Sequence, residues 1–120
     1  MMEITVKQIE TFEVIPDMFK GEDTPPSFIF RTPNTVDMTN LTCNQITVHG
    51  LLFDCFVEFK NKPVIKDGNG KAVKYTNYKE LMEIGNSEIL TLIHTECIIA
   101  MTSKINEVRE KGAKTVKKSK

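Results

Sequence analysis

Residues 25–34 read PPSFIFRTPN, and this stretch places a short strand directly before the start of a helix. The two prolines deny the chain backbone donors and the helical region, so they end a loop. Ser27–Arg31 is rich in aromatic and β-branched residues, which is typical of a strand. Asn34 or Thr35 can then cap a helix whose first turn holds Asp37, where a negative charge is favourable beside the helix dipole.

Upstream of this stretch, the chain shows the alternation of apolar and polar residues that strands have. Over two short stretches within residues 3–15 the apolar positions are Ile4, Val6, Phe12 and Val14. This period of two predicts one or two strands. Residues 20–26 (KGEDTPP) form a loop by composition, because Gly, Asp and paired prolines favour turns.

Downstream, apolar residues recur at spacings of three, four and seven, which puts them on one helical stripe. The members of this stripe are Leu41, Val48, Leu52, Cys55 or Phe56, and Phe59. The pattern predicts a mid-chain helix that continues to Phe59. Gly50 and the β-branched run at residues 46–48 weaken the pattern, because both disfavour a helix interior. A broken helix, or a strand around residues 45–49, therefore stays open.

A hairpin and two further helices are predicted in the second half of the chain. Short β-prone runs at residues 64–66 and 72–75 flank the sequence DGNG, which favours a β-hairpin turn. Asn77, with Glu80 three residues later, resembles a capping box, and the short helix that it opens ends at Gly85.

The last predicted helix runs from about residue 87 to residue 110 and is capped by Asn86 or Ser87. One apolar stripe follows its length, which predicts that one face of it is buried. The stripe consists of Ile89, Ile93, Cys97, Ala100 or Met101, Ile105 and Val108.

These elements together predict an α+β fold, with small N-terminal strands and a mid-chain β-hairpin packed with a helical C-terminal half. The 120 residues suit one domain, which we assign to residues 1–111. Residues 112–120 are predicted to be a basic, flexible tail.

Charge is unevenly distributed along a chain whose formal net charge is zero. Residues 109–120 contain six basic residues and one acid, a net charge of +5, so residues 1–108 carry −5. The basic segment is either a solvated end or a contact for an acidic protein surface or nucleic acid. A basic face extending over the whole fold is missing, so nucleic acid is not the expected partner.

Residue types that perform catalysis or bind metals do not converge in this sequence. His49 and His94 lack partners at a spacing suited to zinc, and His94 with Cys97 would supply two ligands where zinc uses three or four. Cys43, Cys55 and Cys97 lie among apolar neighbours, as free buried cysteines do. We therefore expect no catalytic residues, no metal and no cofactor.

The sequence also argues against export and membrane insertion. The three cysteines are an odd number, the N-terminus has no apolar signal-peptide core, and no stretch approaches the roughly 20 apolar residues that a membrane span requires. We expect a location in the cytoplasm and no membrane partner.

Binding to another protein is then the function class that the sequence favours. The phenylalanines either form the core or offer an apolar patch to a partner. We expect a groove between the helix that ends near Phe59 and the helix from Ser87, with a partner's amphipathic helix lying in it. The candidate partner-binding residues are Leu52, Phe56, Phe59, Ile89, Ile93 and Met101.

The order of these pieces resembles the tail assembly chaperones of long-tailed bacteriophages. The likeness covers about two-thirds of the chain: residues 26–33, the mid-chain helix to Phe59, and residues 67–75, 78–82 and 88–93. The resemblance implies a non-enzymatic protein of the host cytoplasm that holds the tape-measure protein, and often the tail tube protein, until assembly. Such chaperones are typically absent from the finished particle, and many also exist in an extended form made by ribosomal frameshifting.

Two other functions remain as alternatives. A structural component of the virion, such as a tail completion or connector protein, would also be small, α+β and non-catalytic. A small nucleic-acid-binding regulator would use the basic tail at residues 112–120. A homo-oligomer is compatible with each of these functions.

Overall fold

A three-stranded antiparallel sheet lies at the centre of the fold, with strand β2 between β1 and β3. The structure is a computed structural model that describes residues 2–6 and 8–118, with side chains as far as residue 112. The strands are β1 (Thr11–Val14), β2 (Ser27–Arg31) and β3 (Phe56–Lys60). Four of the five residues of β2 are buried, because this strand is paired along both edges. The strand predicted at Ser27–Arg31 is confirmed.

Only the second of the alternating N-terminal stretches forms a strand. Phe12 and Val14 lie in β1, whereas Ile4 and Val6 are exposed and belong to no strand in the described part of the chain. The register explains the difference. The first residue of β1 pairs with Arg31, the last residue of β2, and the N–H of Thr32 donates to the Glu10 carbonyl one position further along, so the pairing with β2 reaches back to residue 10 but not to Ile4 and Val6.

The mid-chain helix is broken into α1 (Thr35–Thr42) and α2 (Val48–Cys55), which confirms the broken-helix alternative and not the strand around residues 45–49. The predicted cap of α1 is present, because the Asn34 side chain accepts from the N–H of Asp37 and the Asp37 carboxylate accepts from the N–H of Asn34. Asn44, at a φ of 58°, ends this helix in the left-handed region.

The prediction that the helix continues to Phe59 is wrong, since Phe56–Lys60 is strand β3. Phe56 pairs with Phe30 and Phe59 pairs with Phe28, and the register shifts between these pairs. The shift accommodates one extra residue of β3. Phe56 and Phe59, three positions apart, therefore face the same side of the sheet as Phe28 and Phe30, which are two positions apart. Because of this bulge, the two phenylalanines of β3 are spaced in the sequence like residues on one face of a helix.

The predicted mid-chain hairpin is present in a minimal form. One antiparallel bridge joins Lys66 and Ala72, and the Asp67 carboxylate accepts from the N–H groups of Asn69 and Lys71 in the turn between them. Gly70 has a φ of 79°, a conformation that glycine adopts without steric cost.

Helices α3 (Tyr78–Met82) and α4 (Glu88–Lys118) complete the fold. The Asn77 side chain caps α3 as predicted, and the Ser87 hydroxyl accepts from the N–H of Leu90 at the start of α4. The backbone of α4 continues beyond the predicted end at residue 110 and shows no break at residue 112. Flexibility of the basic tail stays a prediction, and residues 119–120 lie outside the described residues.

One apolar core joins the sheet to α2, α3 and α4, so the predicted α+β fold is confirmed. Cys55 and Cys97 are buried in this core, whereas Cys43 is exposed. The prediction that all three cysteines face the core is therefore wrong for Cys43, which follows the end of α1.

Candidate protein-binding surface

The groove predicted between the mid-chain segment and the last helix is closed. Leu52 of α2 and Ile93 and Met101 of α4 are almost completely buried, because these two helices pack directly against each other. Residues sealed in the core offer no surface to a partner while the domain stays folded, which corrects the prediction that these three residues bind one.

Phe56 and Phe59 are half-buried on β3, where they contribute to an aromatic cluster. The ring of Phe56 stacks on Tyr78, and the ring of Phe59 meets Tyr75 edge-on at 5.3 Å between centroids. Of the six predicted partner-binding residues, Ile89 alone is exposed.

The outer face of α4 carries a second set of apolar side chains that faces away from the core. Ile89, Leu92 and Ile99 are 55%, 56% and 64% exposed, and we call these three residues the α4 ridge. Leu92 and Ile99 are seven residues apart, which puts them on one line about 10 Å apart on the helix surface. Because these exposed apolar side chains share one face of a helix, the α4 ridge is a candidate surface for contact with another protein.

Two pairs of neighbouring apolar residues in the sequence could have indicated the α4 ridge. Leu92 stands next to Ile93, and Ile98 next to Ile99. Neighbouring positions on a helix point about 100° apart, so a single buried stripe cannot fully cover both members of each pair. The structure buries Ile93 and leaves Leu92 and Ile99 in solvent.

Two open clefts flank the α4 ridge. The first, of about 890 Å³, is lined by His49, Met82, residues 85–88, Leu92 and His94, and we call it the α3 cleft. The second, of about 470 Å³, lies between α4 and the end of β1, and we call it the β1 cleft. Its lining consists of Glu13, Val14, Ile15, Asp17, Lys20, Glu96, Ile99 and Ala100. Because Leu92 lines the first cleft and Ile99 the second, the ridge connects them.

Polar contacts hold the wall of the β1 cleft against α4. The Glu96 carboxylate accepts from the backbone N–H of Asp17 at 2.9 Å. Lys20 forms an ion pair with Asp17 at 2.6 Å, and the hydrogen bond and charge of Lys20 lower the pKa of Asp17. Asp17 and Glu96 both line the cleft, and the lowered pKa keeps Asp17 ionised at neutral pH.

Two histidines meet at the edge of the α3 cleft. His49 Nδ1 lies 2.6 Å from His94 Nε2, and the Tyr78 hydroxyl lies 2.6 Å from His94 Nδ1. Burial raises the pKa of the Tyr78 hydroxyl, so this hydroxyl stays protonated and can donate to His94 Nδ1. In the tautomer that accepts this bond, neutral His94 carries its proton on Nε2 and donates to His49. The sequence did not predict this contact, because the two histidines are 45 positions apart.

We expect the domain to lose stability as the pH falls below about 6.5, the ordinary value for histidine. Burial, and then the charge of His49, lowers the pKa of His94. Because the unfolded chain then binds a proton more readily than the folded one, the contribution of His94 is present above this pH and is lost as the pH falls through the lowered pKa. Urea unfolding of the wild type and of His94→Gln at about pH 7.5 and 5.5 measures the effect. A wild type that loses no more stability than the variant would contradict the assignment.

The remaining chemistry of the site is limited. No three His, Cys, Asp or Glu side chains among the described residues are grouped to hold a metal ion. Burial raises the pKa of the Cys55 and Cys97 thiols to about 12, which leaves neither as a reactive thiolate. No helix within residues 2–6 and 8–118 has the length and apolar character to cross a membrane.

Comparisons with known proteins identify no relative of this chain. No protein-family model, curated protein or solved structure matches this chain.

Proposed function

We propose that this protein is a non-enzymatic tail assembly chaperone of a long-tailed bacteriophage. In this proposal the α4 ridge holds the tape-measure protein, or the tail tube protein, in the host cytoplasm until assembly. The resemblance in the order and pattern of the chain's segments supports the identity of the partner. The exposed apolar side chains of α4 support the mode of binding.

The observation that carries the proposal is the exposure of Ile89, Leu92 and Ile99 on α4, with Leu92 and Ile99 in line. Burying an apolar side chain fully stabilises an interface by about 1.5–3 kcal/mol, so half-exposed side chains retain much of that free energy for a partner. The same three positions contribute little to the fold of the free protein, because they point away from its core.

A helical client suits this surface. A long tape-measure helix exposes an apolar stripe that would associate with other chains before assembly. A ridge on α4 with an open cleft on each side can receive such a stripe by ridges-into-grooves contact. Masking that stripe requires no chemistry, so the proposed function needs no catalytic group from this chain.

We expect the double variant Leu92→Gln and Ile99→Gln to bind the co-expressed tape-measure protein about thirtyfold more weakly. Two partly buried contacts of about 1 kcal/mol each account for this factor. Quantitative co-purification followed by titration measures the loss. Glutamine keeps helix propensity, so the urea midpoint should stay close to that of the wild type.

The matched control is Val36→Gln with Val64→Gln, which removes two exposed apolar side chains that lie outside both clefts. This control should bind like the wild type. A ridge variant with unchanged affinity for both the tape-measure and the tail tube protein would overturn the proposal.

The two alternative functions make different predictions. A virion component would remain in purified particles in fixed copy number, whereas a chaperone is largely lost from them, and mass spectrometry distinguishes the two. A nucleic-acid-binding regulator would lose binding on truncation after Val108, and its affinity would fall steeply with salt.

A further inference from the structure

The surface around the α4 ridge is bordered by acidic side chains. Glu88 lines the α3 cleft, and Glu13, Asp17 and Glu96 line the β1 cleft. Among the described residues Lys20 is the one Lys or Arg that lines the two clefts, and Lys60 pairs with Glu13 from outside them at 3.8 Å, so four carboxylates and two ammonium groups leave a net charge of −2 beside the ridge. A row of apolar side chains bordered by acidic residues is complementary in charge to a partner whose apolar surface is bordered by basic residues.

We infer that the α4 ridge takes an amphipathic helix whose apolar stripe is flanked by Lys and Arg. This inference rests on the proposed function and specifies the chemistry of the client segment. The apolar stripe of the client lies on Leu92 and Ile99, and its basic side chains reach into the two clefts towards Glu88 and Glu96.

The spacing of the ridge favours a helix over an extended strand as the occupant. Leu92 and Ile99 repeat after two helical turns, which matches the seven-residue repeat of a helix lying alongside α4. Lys and Arg suit the flanks, because their apolar stems can cover the cleft walls while their charged ends stay in solvent. The chain's own apolar surfaces in the β1 cleft, Val14, Ile15 and Ala100, would contact such stems.

Charge argues against a second copy of this chain on the same surface. Pairing two α4 ridges would bring two acidic borders together, and like charges facing each other across an interface weaken it. Glu96 cannot easily swing away from such a contact, since it also accepts the N–H of Asp17. The surface of an anionic membrane would be repelled for the same reason.

Two synthetic helical peptides test the inference on the full-length protein. Both carry three heptads with leucine at the first and fourth positions, one with lysine and the other with glutamate at the flanking positions. Fluorescence anisotropy should give an affinity for the lysine peptide at least about tenfold higher than for the glutamate peptide. This preference should shrink as salt rises from about 0.05 to 0.5 M, because the charges are exposed and screened.

A charge-neutralised variant locates the binding site. Glu88→Gln with Glu96→Gln removes two acids but keeps the acceptor that bonds Asp17, and it should weaken the lysine peptide about threefold to tenfold. The control Glu10→Gln with Glu58→Gln removes the same charge from positions outside both clefts and should change affinity by less than about twofold.

Each result bears separately on the inference and on the proposed function. Equal affinity for the two peptides, failure of both to bind, or equal loss in the two double variants overturns the basic-helix inference. The tape-measure co-purification is scored independently. A protein that retains the tape-measure chain but ignores the charge of the peptide keeps its proposed function and loses this inference.

Discussion

Replacing Tyr78 with alanine is expected to lower the free energy of unfolding by about 3–5 kcal/mol, the largest effect of any single change proposed for this protein. The Tyr78 side chain is fully buried at the first position of α3. It lies at the centre of the aromatic cluster, with ring centroids between 5.2 and 5.9 Å from four phenylalanines: Phe28, Phe30, Phe53 and Phe56. Alanine would leave a cavity that rings from three different elements cannot all move to fill.

The conservative variant separates the ring from its hydroxyl. Tyr78→Phe keeps every ring contact and loses the hydrogen bonds of the hydroxyl to His94 and Cys97, which should cost about 1 kcal/mol. Urea unfolding followed by circular dichroism measures both variants. If alanine and phenylalanine destabilise the domain equally, the ring does not have the central role assigned to it. A total stability of 5–15 kcal/mol is usual for a domain, so the alanine variant could be largely unfolded at 37 °C.

Replacing Asp37 with alanine is expected to lower the free energy of unfolding by about 3 kcal/mol. The Asp37 carboxylate accepts from Arg31 at 2.5 Å and from the N–H of Asn34 at 2.9 Å. The Asp37 side chain is 11% exposed and the Arg31 side chain is 24% exposed, so removing the carboxylate would leave the guanidinium charge partly buried without its partner. Loss of the reciprocal cap of α1 adds about 1 kcal/mol within this total.

The pH dependence gives Asp37 a second, independent signature. Burial alone would raise the pKa of Asp37, but the hydrogen bonds from Arg31 and Asn34 outweigh it and lower the pKa. A lowered folded pKa means that this carboxylate stabilises the domain above about pH 4 and loses that contribution as the pH falls further. The exposed Asp54→Asn serves as the control and should change stability by less than about 0.5 kcal/mol. An Asp37→Ala variant as stable as this control would contradict the role of the ion pair.

Local chemistry explains which elements were predictable from the sequence. The strand at Ser27–Arg31 and the starts of α1, α3 and α4 were all predicted, and each depends on residues within a few positions of one another. A capping side chain bonds a backbone N–H three residues away, so its signal does not need the rest of the fold.

The β3 strand and the candidate surface were not predictable in this way. Phe56 and Phe59 have helical spacing, and only pairing with β2 across a bulge turns that spacing into a strand. His49 reaches His94 only because α2 packs on α4. For α4 the sequence predicted a buried stripe, but it did not show that Leu52, Ile93 and Met101 would seal against each other and leave Leu92 and Ile99 outside.

The amino-acid sequence by itself determined the α+β class, the helix starts and the separation of an acidic body from a basic C-terminal segment, since propensity, capping and charge are properties of neighbouring residues. Only the tertiary structure decided which apolar residues are core and which form the α4 ridge. A side chain's burial depends on the elements that cover it, and those come from distant parts of the chain.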